Sequence, residues 1–172
     1  MSRITDRLYL GSLEDYQNQE FMRSKGFKSI ISLLDEEQET LYEGIQHYKF
    51  VISDSPLVNI IPIAEQVYNI ITSSHGLVWV NCLMGVSRSS STVLYYIMKR
   101  FHMNYDKALA YVQKHRPIVQ PNDGFRNQLI IIEEELSGSK ERSRLRDYAE
   151  ALFDQQGQKN KREFLIKRLS SM

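Results

Sequence analysis

Residues 77–101 read LVWVNCLMGVSRSSSTVLYYIMKRF, and the rest of the chain is best understood outward from this segment. Its first part, residues 77–80, is an apolar, β-rich run of the kind that forms a fully buried strand. In residues 88–102, apolar side chains recur at the spacing of one helix face. Only residues 81–87 separate the two patterns, and they include Cys82, the single cysteine of the chain. The segment therefore predicts a strand, a short loop that begins with a thiol, and a helix.

Cys82 stands where a thiol can be activated as a nucleophile. A free thiol has a pKa of about 8.5, so it is mostly protonated at neutral pH. The positive end of the helix dipole and the N–H groups of the loop would stabilise the thiolate, and the same groups can bind phosphate oxygens. Five residues lie between Cys82 and Arg88, whose guanidinium can bind two oxygens of one anion. Gly85 permits the tight turn, whereas a cysteine buried for structural reasons needs neither glycine nor arginine.

These residues carry a resemblance to a known family. Cys82-x5-Arg88-Ser89 resembles the signature loop of cysteine-based protein tyrosine phosphatases, and Gly85-Val86-Ser87-Arg88-Ser89 resembles the dual-specificity branch. The flanking motifs that also match are Arg7-Leu8-Tyr9-Leu10-Gly11-Ser12, Asp54-Ser55-Pro56 with Asn59-Ile60, Arg116-Pro117, and Pro121-Asn122-x-Gly124-Phe125-x-x-Gln128-Leu129. The resemblance covers residues 4–136 and is to the small, atypical, single-domain group. It implies dephosphorylation of phosphotyrosine and phosphoserine or phosphothreonine in proteins through a cysteinyl-phosphate intermediate, with no cofactor and no metal.

The resemblance also implies roles for individual residues. Cys82 is the expected nucleophile, Arg88 binds phosphate, and Ser89 hydrogen-bonds the sulfur as it becomes a leaving group. Capping of the helix is the other role open to Ser89, and the two roles are compatible. Asp54 is the expected general acid, since it follows a strand candidate and matches the Asp-x-Pro context; its alternative role is a turn before proline. Asp35 is a rival acid, but its acidic neighbours favour a solvated surface. The phosphate-binding loop comprises Leu83, Met84, Gly85, Val86, Ser87 and Arg88.

Two asparagines are expected to support the loop. Relatives usually carry histidine before the cysteine, whereas this chain has Asn81, which can donate a hydrogen bond but carries no charge. The pKa of Cys82 is therefore expected to lie above that of relatives with histidine and below that of a free thiol; the competing view is that Asn81 only shapes the loop. Asn122 resembles a residue that braces the signature loop from behind, and it could equally cap the helix that starts near Gly124.

Strand and helix patterns alternate along the chain. Predicted strands are residues 8–10, 29–34, 48–52 and 77–80. Predicted helices are residues 13–24, 88–102, 105–115 and 124–136, together with a helix that starts at residue 60 and ends near Gly76. The alternation predicts an α/β fold in which helices flank both faces of a central sheet, and the resemblance to the protein tyrosine phosphatases implies that this sheet is mixed and mostly parallel. Residues 1–137 are assigned to the catalytic domain and residues 138–172 to a basic, helical C-terminal extension. Ligands in such sheets bind at the carboxyl ends of the strands, where the Cys82 loop is expected.

Composition and charge limit the classes of partner that the protein is expected to bind. Of the 172 residues, 42% are hydrophobic and 25% charged, as in globular proteins. Residues 1–137 hold 13 Lys and Arg against 16 Asp and Glu, whereas residues 138–172 hold 9 against 5. Nucleic acid is therefore not expected as a partner, and the extension is a possible surface for a partner or for self-association. The resemblance implies a phosphoprotein substrate. The four histidines lack the spacing of metal ligands.

The location expected from the sequence is cytoplasmic, with nuclear access open. No apolar run approaches the ~20 residues of a membrane span, and the first residues lack a secretory apolar region. Ser2 stands where N-myristoylation requires glycine, so no membrane anchor is expected. A single cysteine cannot form an internal disulfide, which fits a reducing compartment.

Two other functions remain open at this point. A phosphatase of phosphoinositides or RNA 5′ ends would use the same loop, but such relatives often carry Lys or His inside it, and the variable loop positions here are uncharged. A phosphate-binding pseudophosphatase is the non-enzymatic alternative, and Asn81 in place of histidine is the reason to consider it.

Overall fold

The computed structural model describes residues 1–137 of the protein. Within this range the strands are β1 (Ser2–Arg3), β2 (Leu8–Gly11), β3 (Phe27–Leu34), β4 (Gln46–Val51) and β5 (Leu77–Asn81). The helices are α1 (Leu13–Gln17), α2 (Gln19–Lys25), α3 (Ile61–Ser73), α4 (Arg88–Phe101), α5 (Tyr105–His115) and α6 (Asp123–Ser137). The predicted helical extension, residues 138–172, lies outside the described residues.

These strands form one sheet in the order β1-β2-β5-β3-β4. β1 runs antiparallel to β2, and every other neighbouring pair is parallel. The prediction of a mixed, mostly parallel sheet is therefore confirmed. Because β5 lies between β2 and β3, the residue that follows it, Cys82, leaves the sheet at the carboxyl ends of three parallel strands. Ligands bind at this edge in open α/β sheets.

Helices cover both faces of the sheet. Side chains of β5 alternate between the faces: Val78 and Val80 belong to the larger core with residues of α3, α4, α5 and α6. Trp79 belongs to a smaller core with Tyr16 of α1 and Met22 of α2. Burying a large apolar side chain contributes about 1.5–3 kcal/mol. The strand that precedes Cys82 is thus held from both sides.

One local prediction was wrong and one strand was missed. Residues 13–24 were predicted as one helix, but the chain forms α1 and α2, which meet at Asn18. The Asn18 side chain accepts a hydrogen bond from the N–H of Phe21 at 3.1 Å and starts the second helix. Strand β1 was not predicted, because two residues are too few to show an alternating pattern.

The remaining predicted elements are confirmed, with ends that differ by a few residues. α5 begins after Asn104, whose side chain accepts from the N–H of Lys107 at 3.0 Å, as predicted for an N-cap. α4 ends at Phe101, and the capping residue that follows, His102, has a left-handed φ of 53°. No helix in the described range, residues 1–137, has the length and apolar character needed to cross a membrane.

Candidate active site

The loop of residues 82–87 has its carbonyl oxygens turned outward. The oxygen of Leu83 accepts from the N–H of Leu13 at 3.1 Å, and the oxygen of Val86 accepts from the N–H of Gln120 at 2.9 Å. A trans peptide has its N–H opposite its C=O, so outward carbonyls place N–H groups on the inner side of the loop. Inward N–H groups form a concave anion site.

Cys82 lies at the base of this loop and is 2% exposed. Its sulfur accepts hydrogen bonds from the N–H of Gly85 at 3.2 Å and from the hydroxyl of Ser89 at 3.1 Å. Burial acts to raise the pKa of Cys82, but these bonds and the N–H groups of Ser89 and Val86 outweigh it, so the pKa is lowered. The predicted contact between Ser89 and the sulfur is present.

Gly85 is required at its position for two reasons. Its φ is +67°, in the left-handed region that side chains rarely adopt. A Cβ atom added there would lie 2.5 Å from the carbonyl oxygen of Gly11 and 2.7 Å from Nη2 of Arg116. The turn in the loop therefore depends on glycine, as its sequence position suggested.

Arg88, at the start of α4, is 3% exposed. Its Nη1 donates to Oδ2 of Asp35 at 2.7 Å and to the carbonyl oxygen of Ile52 at 3.1 Å. Its Nε is buried and has no hydrogen-bond partner among the described residues. The interpretation of Asp35 as solvated surface needs correction: its side chain is 61% exposed, yet it forms an ion pair with Arg88. The sequence did not predict this contact, because the acidic neighbours of Asp35 indicated an exposed charged surface.

Asp54, the predicted acid, contacts the end of the loop. Its Oδ1 accepts from the hydroxyl of Ser87 at 2.6 Å and from Nδ2 of Asn122 at 2.7 Å. The N–H of Asn122 donates to the Ser87 hydroxyl at 3.0 Å, and its Oδ1 accepts from the N–H of Phe125 at 2.9 Å. Asn122 thus caps α6 and also contacts the loop, so the two expectations for it are compatible. The acid, the loop and α6 are joined in one hydrogen-bonded cluster.

Asn81 is fully buried. Its Oδ1 accepts from Nε1 of Trp79 at 3.2 Å and from the hydroxyl of Ser32 at 2.9 Å. Since the indole N–H can only donate, the amide orientation is fixed. Because the Ser32 proton goes to Asn81, the Ser32 oxygen must accept from Nε2 of His47, 2.9 Å away. Burial and the charge of Lys49 lower the pKa of His47 to about 4, so this histidine is neutral.

We expect Asn81→His to lower the pKa of Cys82 relative to the parent. An imidazolium beside the loop favours the thiolate, and one pKa unit corresponds to about 1.4 kcal/mol. The measurement is the pH dependence of Cys82 alkylation, which should become faster near a pH of about 6, below the free-thiol pKa.

Ser32→Ala is the control for this substitution, because it removes a hydrogen bond from Asn81 without changing charge. We expect Ser32→Ala to leave the alkylation pKa where it was. If Asn81→His also leaves it unmoved, or if both variants move it equally, Asn81 shapes the loop by hydrogen bonding and the electrostatic account is wrong.

Arg116 is a residue to which sequence reasoning gave no role, although the Arg116-Pro117 pair was noted. It lies at the end of α5 and is 7% exposed. Its Nε donates to the carbonyl oxygen of Gly85 and its Nη2 to that of Met84, both at 2.9 Å. The carbonyl oxygens of Leu83 and Val86 accept hydrogen bonds from main-chain N–H groups outside the loop, and Arg116 donates to the two carbonyl oxygens between them.

The sheet, and the cysteine loop between its central strand and α4, define the protein tyrosine phosphatase class of α/β proteins. Residues 8–135 match the family described as "Dual specificity phosphatase, catalytic domain", and the chain belongs to this family. The resemblance inferred from the motifs is therefore confirmed. No group of three or more His, Cys, Asp or Glu within residues 1–137 is arranged to hold a metal ion.

The relatives match most of the chain. Mouse protein phosphatase Slingshot homolog 3 is 34% identical over 143 residues, which are 81% of this chain and 22% of that protein. Human dual specificity protein phosphatase 18 is 33% identical over 142 residues, 80% of this chain and 75% of that protein. The crystal structure of DUSP15 superimposes with a TM-score of 0.75 at 27% identity and covers 86% of this chain and 95% of that one. The chain spans only about a fifth of the Slingshot relative.

Proposed function

We propose that the protein hydrolyses phosphotyrosine and phosphoserine or phosphothreonine in proteins, with Cys82 as nucleophile. The observation that carries the proposal is the thiol at the base of a loop of inward N–H groups, with its pKa lowered by hydrogen bonds despite burial. A thiolate held in an anion site is ready to attack a bound phosphate. The buried Nε of Arg88, unpartnered among the described residues, supplies a donor that a phosphate oxygen would satisfy.

The proposed reaction has two displacements. In the first, the Cys82 thiolate attacks phosphorus, a P–S bond forms, the P–O bond to the substrate breaks, and Asp54 gives its proton to the departing oxygen. In the second, water attacks phosphorus, Asp54 accepts the water proton, and the P–S bond breaks. The hydroxyl of Ser89, 3.1 Å from the sulfur, stabilises the thiolate as it leaves. Phosphate and the free enzyme result, with no cofactor in either step.

A protein substrate is favoured over a more highly phosphorylated ligand. Leu83 and Met84 are the exposed side chains of the loop, and both are apolar. The cleft beside the loop is lined by Asp54 and Asp123 as well as Ser87 and Asn122. Phosphoinositides and RNA 5′ ends bring additional phosphates, which require cations rather than carboxylates nearby.

The first test is turnover by the purified full chain. We expect release of phosphate from an aryl phosphate and from phosphotyrosine and phosphothreonine peptides, with slower release from phosphoinositides and 5′-phosphorylated RNA. Faster turnover of either non-protein substrate would contradict the proposed substrate class, and absence of all turnover would indicate a phosphate-binding pseudophosphatase. The extension as a docking surface, the absence of a nucleic-acid partner or membrane anchor, and the cytoplasmic location stay predictions.

We expect Asp54→Asn to slow hydrolysis of phosphotyrosine by roughly 10²–10⁴-fold, the usual effect of removing a general acid. The asparagine oxygen can still accept from Ser87 and Asn122, so the loop geometry is retained. An activated aryl phosphate, whose phenolate leaves without protonation, should react at a rate close to that of the parent. The measurement is kcat/KM on both substrates.

Asp123→Asn is the matched control, because Asp123 lines the same cleft and its side chain forms no hydrogen bond or ion pair with Cys82, Ser87 or Arg88. It should leave both rates close to those of the parent. Equal losses on the two substrates in Asp54→Asn would mean that Asp54 positions the loop and is not the proton donor.

A further inference from the structure

Arg116 is a buried arginine whose partners are main-chain carbonyl groups. Its Nε and Nη2 donate to the oxygens of Gly85 and Met84, each at 2.9 Å, and the residue is 7% exposed. Burying a guanidinium is costly unless hydrogen bonds compensate for lost water. Two adjacent carbonyls at the turn of the loop are therefore the contacts that this side chain is placed to make.

The two carbonyls belong to the two peptide units at the turn of the loop. Both units are trans, so each N–H points away from the oxygen of the same unit. The unit whose oxygen is that of Met84 has the N–H of Gly85, which donates to the sulfur of Cys82 at 3.2 Å. The next unit has the N–H of Val86, which also acts on that sulfur. The oxygens face Arg116 and the hydrogens face Cys82.

We propose that Arg116 is a positioning residue for the nucleophile: it binds both carbonyl oxygens and thereby aims the N–H groups of Gly85 and Val86 at the sulfur of Cys82. A planar guanidinium has donors spaced to reach two oxygens at once, which a single ammonium group cannot reproduce. The proposal rests on the proposed function in taking the Cys82 thiolate as the reactive species. It adds a residue that never touches the substrate.

Charges around the loop are consistent with this role. Burial lowers the pKa of Arg116, whereas the charges of Asp15 and Cys82 act to raise it. The last effect is mutual, because a cation that is favoured by a thiolate favours the thiolate in return. The other charged groups described around the site are Arg88, Asp35, Asp54 and Asp123. Arg88 forms an ion pair with Asp35, whereas Arg116 contacts the carbonyl oxygens at the turn of the loop.

The test compares Arg116→Met and Arg116→Lys with the parent full chain. The readout is the rate of Cys82 alkylation by iodoacetamide as a function of pH, followed as the mass of the single modified cysteine. Iodoacetamide is neutral, so loss of a cation does not by itself change its approach to the thiol. Arg126→Met and Arg126→Lys are matched controls, since Arg126 is an exposed arginine on the neighbouring helix α6.

We expect the alkylation pKa of Cys82 to rise by about one unit in Arg116→Met, which corresponds to roughly tenfold slower reaction at mildly acidic pH. Arg116→Lys should raise it by a smaller but measurable amount, because charge is kept and the double contact is lost. The Arg126 variants should match the parent. Circular dichroism and thermal unfolding identify any variant that has lost its fold.

A parental alkylation pKa in folded Arg116→Met, or in Arg116→Lys, would overturn the proposal. If Arg116→Met does not fold, the lysine variant decides the matter: a raised pKa supports positioning by the fork and an unchanged pKa refutes it. Alkylation needs no turnover, so a parent chain that is readily alkylated and hydrolyses no phosphate ester would contradict the proposed function alone.

Discussion

Cys82→Ser is expected to abolish turnover, with a loss of at least about 10³-fold, as for other removed nucleophiles. A serine hydroxyl is a poor nucleophile unless an adjacent base activates it, and the groups around Cys82 are hydrogen-bond donors. The N–H of Gly85 and the hydroxyl of Ser89, which bond the sulfur, stabilise an anion and accept no proton from serine. The measurement is kcat on an aryl phosphate and on a phosphotyrosine peptide.

Phosphate binding should survive in the same variant. The inward N–H groups of the loop and the guanidinium of Arg88 do not depend on the sulfur, so inorganic phosphate should bind by calorimetry with an affinity close to that of the parent. The thermal midpoint of unfolding serves as the control for folding. Loss of a nucleophile is expected to lower turnover by far more than about tenfold. Residual turnover within about tenfold of the parent would therefore contradict the assignment of Cys82 as the nucleophile.

The local part of the site could be predicted from the sequence because its functional side chains lie close together along the chain. Cys82, Gly85 and Arg88 lie within one loop, and their spacing alone indicates a thiol, a tight turn and a cation around one anion. Ser89 follows by one position on the helix. The strand before the loop was equally readable, since a central parallel strand is apolar on both faces.

The long-range part could not be predicted, because it depends on strand register and on where loops meet. Ser32 contacts Asn81 because the two residues are paired across β3 and β5, and a parallel register between strands far apart in sequence leaves no local pattern. Asp35 reaches Arg88 across 53 positions. The sequence therefore related Asn81 only to its neighbour Cys82. In the structure the Asn81 side chain belongs to a hydrogen-bond network that extends to β4.

One helix cap was predicted correctly and another was missed, for a physical reason. Asn104 was identified as a cap because a helical pattern begins directly after it. Asn18 was overlooked because the residues around it continue an acceptable helical pattern, and the break at Asn18 is set by packing of α1 and α2 against the smaller core. Caps inside an apparently continuous helix are ambiguous in a single sequence.

Arg88→Lys should be nearly as damaging as loss of the nucleophile, lowering kcat/KM by roughly 10²–10³-fold, the effect of removing one preorganised donor from developing charge. Lysine keeps the charge but supplies a single ammonium, whereas Arg88 has Nη1 bound to Asp35 and to the carbonyl of Ile52 and a separate Nε that is buried. A lysine that satisfies Asp35 cannot also reach the oxygens of a bound phosphate.

The ion pair with Asp35 makes a control available that separates phosphate binding from the placement of the arginine. In Asp35→Asn the amide oxygen can still accept from Nη1, and Asp35 is 61% exposed, so solvent screens the lost charge. We expect that variant to keep its rate within about tenfold of the parent, a small loss beside that from removing a preorganised donor. If Arg88→Lys loses no more than Asp35→Asn, the guanidinium serves the ion pair and not the phosphate. A large loss in Arg88→Lys beside a small one in Asp35→Asn would mean that Arg88 acts on the substrate, because both variants disturb the ion pair and only one removes the second donor.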